Sequence, residues 1–237
     1  MNMKKKLVAG GLVAALAATA IGGATLAYFT DTDNRTNTFT AAGADGAALD
    51  ITLTETSENR VVGDVTLNAG TAQENGFKYD NVLPGLAYDK NAVVTLENGS
   101  VDSHLYIELV ISNYSALMNA IEGVSGIDAN ALQDSFLVNP NENITRANIV
   151  ATKMDGDNFK MVFDFGEVTD PEGDPEYSVQ LFDGVKVPAN MTKENMEKLE
   201  GKAVDLTINA YAIQEETGDT AVLDAAIAEW FSDYTVA

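Results

Sequence analysis

Apolar and polar positions alternate along most of this chain. Leu49, Ile51 and Leu53 are interleaved with Asp50, Thr52 and Thr54, the period-two pattern of a half-buried strand. Val61 to Leu67 is a second candidate. Ala92 to Glu97 runs into the turn signal Asn98-Gly99. The chain then returns through Leu105, Ile107, Leu109 and Ile111, with Tyr106, Glu108 and Val110 facing the other way. Ile149 to Met154 and Phe159 to Phe165 flank Asp155-Gly156-Asp157-Asn158, which predicts a hairpin. Ser178 to Val187 reads as a strand broken at Asp183-Gly184. In a closing strand, Val204, Leu206, Ile208, Ala210 and Ala212 alternate with Asp205, Thr207, Asn209 and Tyr211.

Helical spacing is rarer. Ser115 can cap Ala116 to Ile121, Asp128 can cap Ala129 to Phe136, and Thr192 can cap Lys193 to Glu200 with Gly201 at the stop. Thr220 precedes Ala221 to Phe231, where Leu223, Ile227 and Trp230 share a face. About eight short strands and a few short helices predict an all-β fold, an antiparallel jelly-roll-type sandwich.

The N-terminal end breaks this pattern. Lys4, Lys5 and Lys6 precede an uncharged run from Leu7 to Thr30, which ends in Ala27-Tyr28-Phe29-Thr30-Asp31. Positive charge, an apolar stretch and small residues at Thr25 and Ala27 form a secretory signal cut between Ala27 and Tyr28. Gly10, Gly11, Gly22 and Gly23 weaken the run as a permanent helix. The competing reading is a retained anchor, because Leu7 to Phe29 is long enough to span a bilayer. The expected organisation is a signal peptide over 1–27, an arm and tether over 28–46, and one domain over 47–237.

Tyr28 to Ala42 is rich in threonine (Thr30, Thr32, Thr36, Thr38, Thr40), which favours extended backbone. Its few apolar groups include Phe29 and Phe39, an even number of positions apart and so on one face of an unbroken strand. Ala41-Ala42-Gly43-Ala44-Asp45-Gly46 follows as a loose tether. A tethered, β-prone arm adds readily to an exposed sheet edge. It could equally pair within its own domain.

Charge narrows the function. Acidic residues number 36 against 14 basic ones, a net charge of −22. Removing residues 1–27 takes away three lysines and no acid, so the remainder is more negative still. Such a surface repels phosphates, which excludes nucleic-acid binding and leaves the uncleaved signal as the membrane contact. There is no cysteine, hence no disulfide framework or thiolate site. His104 is the single histidine, so a His-Glu-x-x-His zinc site cannot be built; it reads as a turn residue at a hairpin return. No serine sits in a nucleophile elbow and no carboxylate pair stands out, so an enzyme is not expected. Asp31-Thr32-Asp33-Asn34, Asp155 to Asn158 and Asp170 to Glu176 are oxygen-rich loops that admit calcium, although none matches the twelve-residue calcium loop.

Several of these stretches together resemble the TasA/camelysin family. They are the triple-lysine signal, the Ala27-Tyr28-Phe29-Thr30-Asp31 junction and the segment Thr38-Phe39-Thr40. Leu83-Pro84-Gly85 before Val93 to Ser100 is similar to the family's Pro-Gly turn, strand and Asn-Gly-Ser turn. Asn209 to Gln214 before a Trp-containing helix is similar to its closing strand. The resemblance implies a secreted jelly-roll subunit of extracellular biofilm-matrix fibres, released by a SipW-type signal peptidase. It further implies a homopolymer formed by donor-strand exchange, the donor being Tyr28 to roughly Ala41 with Tyr28, Phe29, Thr38 and Phe39. A monomeric surface adhesin or ligand-binding module, or a camelysin-like secreted peptidase, are the alternatives.

Overall fold

The computed structural model describes residues 27–30, 51–74, 76–97, 102–127, 132–168, 177–214, 228 and 231–236. Two sheets pack face to face. The first contains β1 (Ala27–Thr30), β5 (Thr71–Gln73), β6 (Gly76–Val82), β8 (Ser103–Ile111), β10 (Ile149–Asp155), β11 (Asn158–Val168), β13 (Ala203–Gln214) and β14 (Thr235–Val236). Their spatial order is β14-β10-β11-β8-β13-β1-β6-β5. The second contains β2 (Ile51–Thr56), β3 (Arg60–Val62), β4 (Val65–Asn68), β7 (Ala87–Leu96), β9 (Leu137–Val138) and β12 (Tyr177–Lys186). Its order is β3-β4-β7-β12-β9, with β2 beside the other half of β7. Pairing is antiparallel except for β1 on β13 and β4 on β7. The all-β sandwich is the expected class.

The alternating residues fill the space between the sheets. Leu105, Ile107 and Leu109 of β8 and Ile208, Ala210 and Ala212 of β13 meet Ile51 and Leu53 of β2 and Ala92, Val94 and Leu96 of β7. Burying each large side chain stabilises the fold by about 1.5–3 kcal/mol. This geometry corrects the hairpin expected around Asn98-Gly99. Strand β7 pairs with β2 and β12, whereas β8 pairs with β11 and β13, so the connection crosses between layers. Both strands have apolar inner faces, and they meet across the core instead of side by side.

Local turn chemistry decided other details. The stretch Val61 to Leu67 is a hairpin, with Gly63 at φ 57° in the two-residue turn between Val62 and Val65. Strand β12 continues through Asp183-Gly184, with register shifts in its pairing to β7. Glycine is needed there because a Cβ at Gly184 would lie 2.2 Å from the Tyr88 carbonyl oxygen. Asp155–Asn158 is a hairpin turn between β10 and β11 as expected.

Three short helices lie among the described residues: α1 (Tyr114–Ile121), α2 (Leu132–Phe136) and α3 (Lys193–Glu197). Thr192 caps α3 in a reciprocal capping box with Asn195. Ser115 does not cap α1. The cap position is Asn113 at φ 48°, and the Ser115 N–H donates to Asp157 Oδ1 at 2.9 Å. The expected helix over 221–231 lies largely outside the described residues. What is described of the C-terminal stretch covers the outer face of the first sheet, where Phe231 packs with Tyr106, Ala151 and Val162. Tyr106 and Glu108, on the face of β8 opposite Leu105 and Ile107, are therefore buried as well.

Substituting Gly184→Ala should lower stability by about 1–3 kcal/mol, because the new methyl must displace main chain of β7. Urea unfolding of the variant against the parent checks this, read as a lower midpoint at unchanged slope.

Candidate strand-exchange slot

Strand β1 lies between two strands of the first sheet and pairs with both. In the first sheet it is the single link between β13 on one side and the β6–β5 hairpin on the other. Its register on β13 is parallel, Tyr28 with Ala203, Phe29 with Val204 and Thr30 with Asp205. On β6 it is antiparallel, Ala27 with Val82, Phe29 with Tyr79 and Thr30 with Lys78. Neighbouring strands stand about 4.8 Å apart, so taking β1 away would leave a gap of roughly 10 Å between two strand edges. Each edge would carry unpaired N–H and C=O groups, which a sheet does not leave buried. Ala27 and Tyr28, the expected cleavage pair, both belong to this strand; Thr38 and Phe39 lie outside the described residues.

The walls of the slot combine apolar and polar groups. Val204 and Tyr79 are buried core residues. The Tyr79 hydroxyl donates to the Asp89 carbonyl at 2.5 Å, and its ring meets Tyr88 edge-on at 5.5 Å. Asp205 stands at the register position of Thr30. Its Oδ2 accepts from the Ser112 hydroxyl at 3.0 Å, while Oδ1 is buried without a hydrogen-bond partner. Burial raises the Asp205 carboxyl above the ordinary aspartate range, and the Ser112 hydrogen bond offsets this only in part.

Three other polar constellations are structural anchors. Lys90 is 1 % exposed and points into the core, where Nζ meets Glu55 Oε1 at 2.7 Å. Asp89, also buried, is held by Arg60 Nε at 2.6 Å, and Arg60 reaches Asp183 at 2.9 Å. On the outer face of the first sheet, Glu108 accepts from Asn209 at 2.7 Å, from Tyr211 at 3.1 Å and from Tyr234. Burial and then the Glu108 charge push the Tyr211 hydroxyl above its ordinary value; burial, then the hydrogen bond to Glu108, does the same at Tyr234. None of these clusters announces itself in the sequence, since the partners stand far apart along the chain.

His104 is not the plain turn residue expected. It lies in β8, stacks on Tyr106 at 4.9 Å, and its Nε2 bonds Asp164 Oδ1 at 2.6 Å. Burial acts to raise the Asp164 carboxyl, but hydrogen bonds from His104 and the Gly166 N–H outweigh it and hold it below the ordinary range. Among the described residues, no group of three or more His, Cys, Asp or Glu is placed to share a metal ion. In the Asp155–Asn158 turn, Asp155 bonds Lys160 at 3.0 Å and Asp157 bonds Ser115. The other two oxygen-rich loops, 31–34 and 170–176, lie outside the described residues.

Residues 2–105 match the family model Peptidase_M73, described as camelysin metallo-endopeptidase. The camelysin resemblance read from the sequence holds. The match runs from the leader through β1 and β6 into the start of β8, so it includes one wall of the slot and its strand. The opposite wall, β13, lies beyond it. No curated protein and no solved structure matches the chain.

The Asp205 environment has a sign that can be worked out. A carboxyl raised in the folded state favours folding when protonated, so its contribution is present below the ordinary aspartate range. It is lost as pH rises through the raised value. Asp205→Asn should therefore unfold at higher urea than the parent at pH 7, and the gap should close on acidification. Paired urea titrations across that pH range read it directly.

Proposed function

We propose that this camelysin-like chain is a secreted structural subunit that polymerises by strand exchange, without catalysis. The observation that supports this best is the position of β1. A four-residue strand, Ala27–Thr30, with a neighbour on each side in an eight-stranded sheet, is the kind of element a second copy can supply equally well. When the copy's own strand fills the slot, the subunit is closed. When the strand enters a neighbour, the same main-chain hydrogen bonds form between molecules, and the head-to-tail contact repeats without closing.

The exchange is close to isoenergetic in backbone pairing, so its direction is set by secondary terms. Strongly acidic subunits repel, and that repulsion fades beyond about 8 Å at physiological ionic strength. Release of the arm from the leader by a SipW-type signal peptidase would free Tyr28 to leave its own sheet. The Ala27–Tyr28 bond lies inside paired β1, so cleavage belongs to a state in which that strand is undocked. The expected location is the extracellular matrix or the cell surface.

The family's printed description favours a second reading, a metallo-endopeptidase. Against it stands a whole sequence with one histidine and no cysteine, which supplies no two-histidine helix for zinc. A peptidase would lose casein hydrolysis on addition of a chelator and regain it with zinc; the structural subunit shows no chelator-sensitive hydrolysis.

Deleting residues 28–41 from the mature protein should abolish fibres seen by negative stain. The undeleted protein should polymerise faster in light scattering as salt rises or pH falls. Fibres from the deleted chain would sink the proposal, as would fastest growth in low salt at neutral pH.

A further inference from the structure

The strand registers give the sandwich a polarity that bears on its precursor. Strand β1 enters at the end marked by Val82 of β6 and Ala203 of β13. Following the pairings outward, the same end holds the β3–β4 turn, the 83–86 turn, the last residues of β12 and the β10–β11 turn. Val61, Leu83, Leu86 and Met154 are the exposed large hydrophobic residues among those described, at 66 %, 43 %, 40 % and 51 % exposure. All four lie at this one end.

Neighbouring turns extend the uncharged surface. The Gly85 N–H donates to the Val187 carbonyl at 2.9 Å and the Val187 N–H to that of Leu86 at 2.9 Å. Asn190 in turn bonds the Ser125 carbonyl. Residues 82–88, 187–191 and 123–127 contain no charged side chain. Lysines gather around them: Lys153, Lys160, Lys186, Lys193, Lys198 and Lys202 all lie at this end. They stand among Asp64, Asp80, Glu122, Asp134, Asp155, Asp157, Glu194, Glu197, Glu200, Asp205 and Asp233, so cationic side chains are interspersed with the carboxylates at this end.

The chain's own length says what meets this surface. A helix of about 20 residues spans a hydrocarbon core of about 30 Å; the uncharged run 7–26 has that length in sequence, and no linker separates it from Ala27. We propose that, while the leader is attached, this end of the folded sandwich rests on the lipid surface, with Leu83 and Leu86 in the interface. The reading rests on the leader being membrane-inserted. The exposed leucines sit beside the entry point of β1, and the lysine stems can lie along the interface with their charges among headgroups. The rest of the acidic surface is kept away from the bilayer. Cleavage then severs the one covalent tie, and these contacts alone are too few to hold the domain.

The absence of cysteine makes the test direct. Full-length chain carrying Leu86→Cys, Met154→Cys or Ser178→Cys, the last at the opposite end, is labelled with an environment-sensitive fluorophore. Each is reconstituted into phosphatidylcholine vesicles. The expected result is flotation of all three, with emission shifted to shorter wavelength at positions 86 and 154 and unshifted at 178. Flotation with all three labels water-exposed overturns the docked end but leaves the leader reading intact. Failure to float overturns both. A shift at 86 that appears equally without vesicles assigns the surface to a second copy and overturns the lipid contact.

Discussion

The structure depends on one main-chain constraint: both edges facing the slot between β13 and β6 must be paired. A single short strand meets that need on two sides at once, parallel to one neighbour and antiparallel to the other. Without it, the β6–β5 hairpin has no hydrogen-bonded connection, among the described strands, to the five that run from β13 to β14. The sheet's continuity therefore rests on a segment that directly follows the uncharged run 7–26.

The inner faces of β7, β8, β11, β12 and β13 interlock in one apolar core. Polar anchors secure the margins: Arg60 ties Asp89 to Asp183, and Glu108 ties the C-terminal stretch to β13. The Lys90–Glu55 pair is a different case. Two charges withdrawn from water cost several kcal/mol to desolvate, and their attraction recovers this only with good geometry. At 2.7 Å the geometry is good, although Glu55 Oε2 has no hydrogen-bond partner. Removing Lys90 alone would leave the Glu55 charge without its ion-pair partner in the core.

The end where β1 enters carries the exposed Leu83 and Leu86 and a rim of interspersed lysines and carboxylates, in a chain whose overall excess is strongly acidic. The same excess charge opposes close approach of copies until salt or protons relieve it.

The sequence by itself determined the all-β class, most strand positions and the polarity of each face, because alternation with a period of two is a local property. Leu105, Ile107, Leu109 and Ile111 face inward as their spacing requires, and Thr192 caps its helix as its type requires. It also carries the uncharged run 7–26, the threonine-rich stretch 28–42 and a single histidine. Only the tertiary structure decided which strands are neighbours. Asn98-Gly99 signalled a hairpin, yet β7 and β8 belong to different layers, since a turn's chemistry says nothing about which sheet receives the returning chain. The alternation put Tyr106 and Glu108 on the second face of β8, and only the packing of Phe231 and Tyr234 there shows that this face is covered too. The pairing of His104 with Asp164, and the seat of β1 between β13 and β6, join residues far apart along the chain. No local pattern carries such information, because it is the packing of the whole core that brings those residues together.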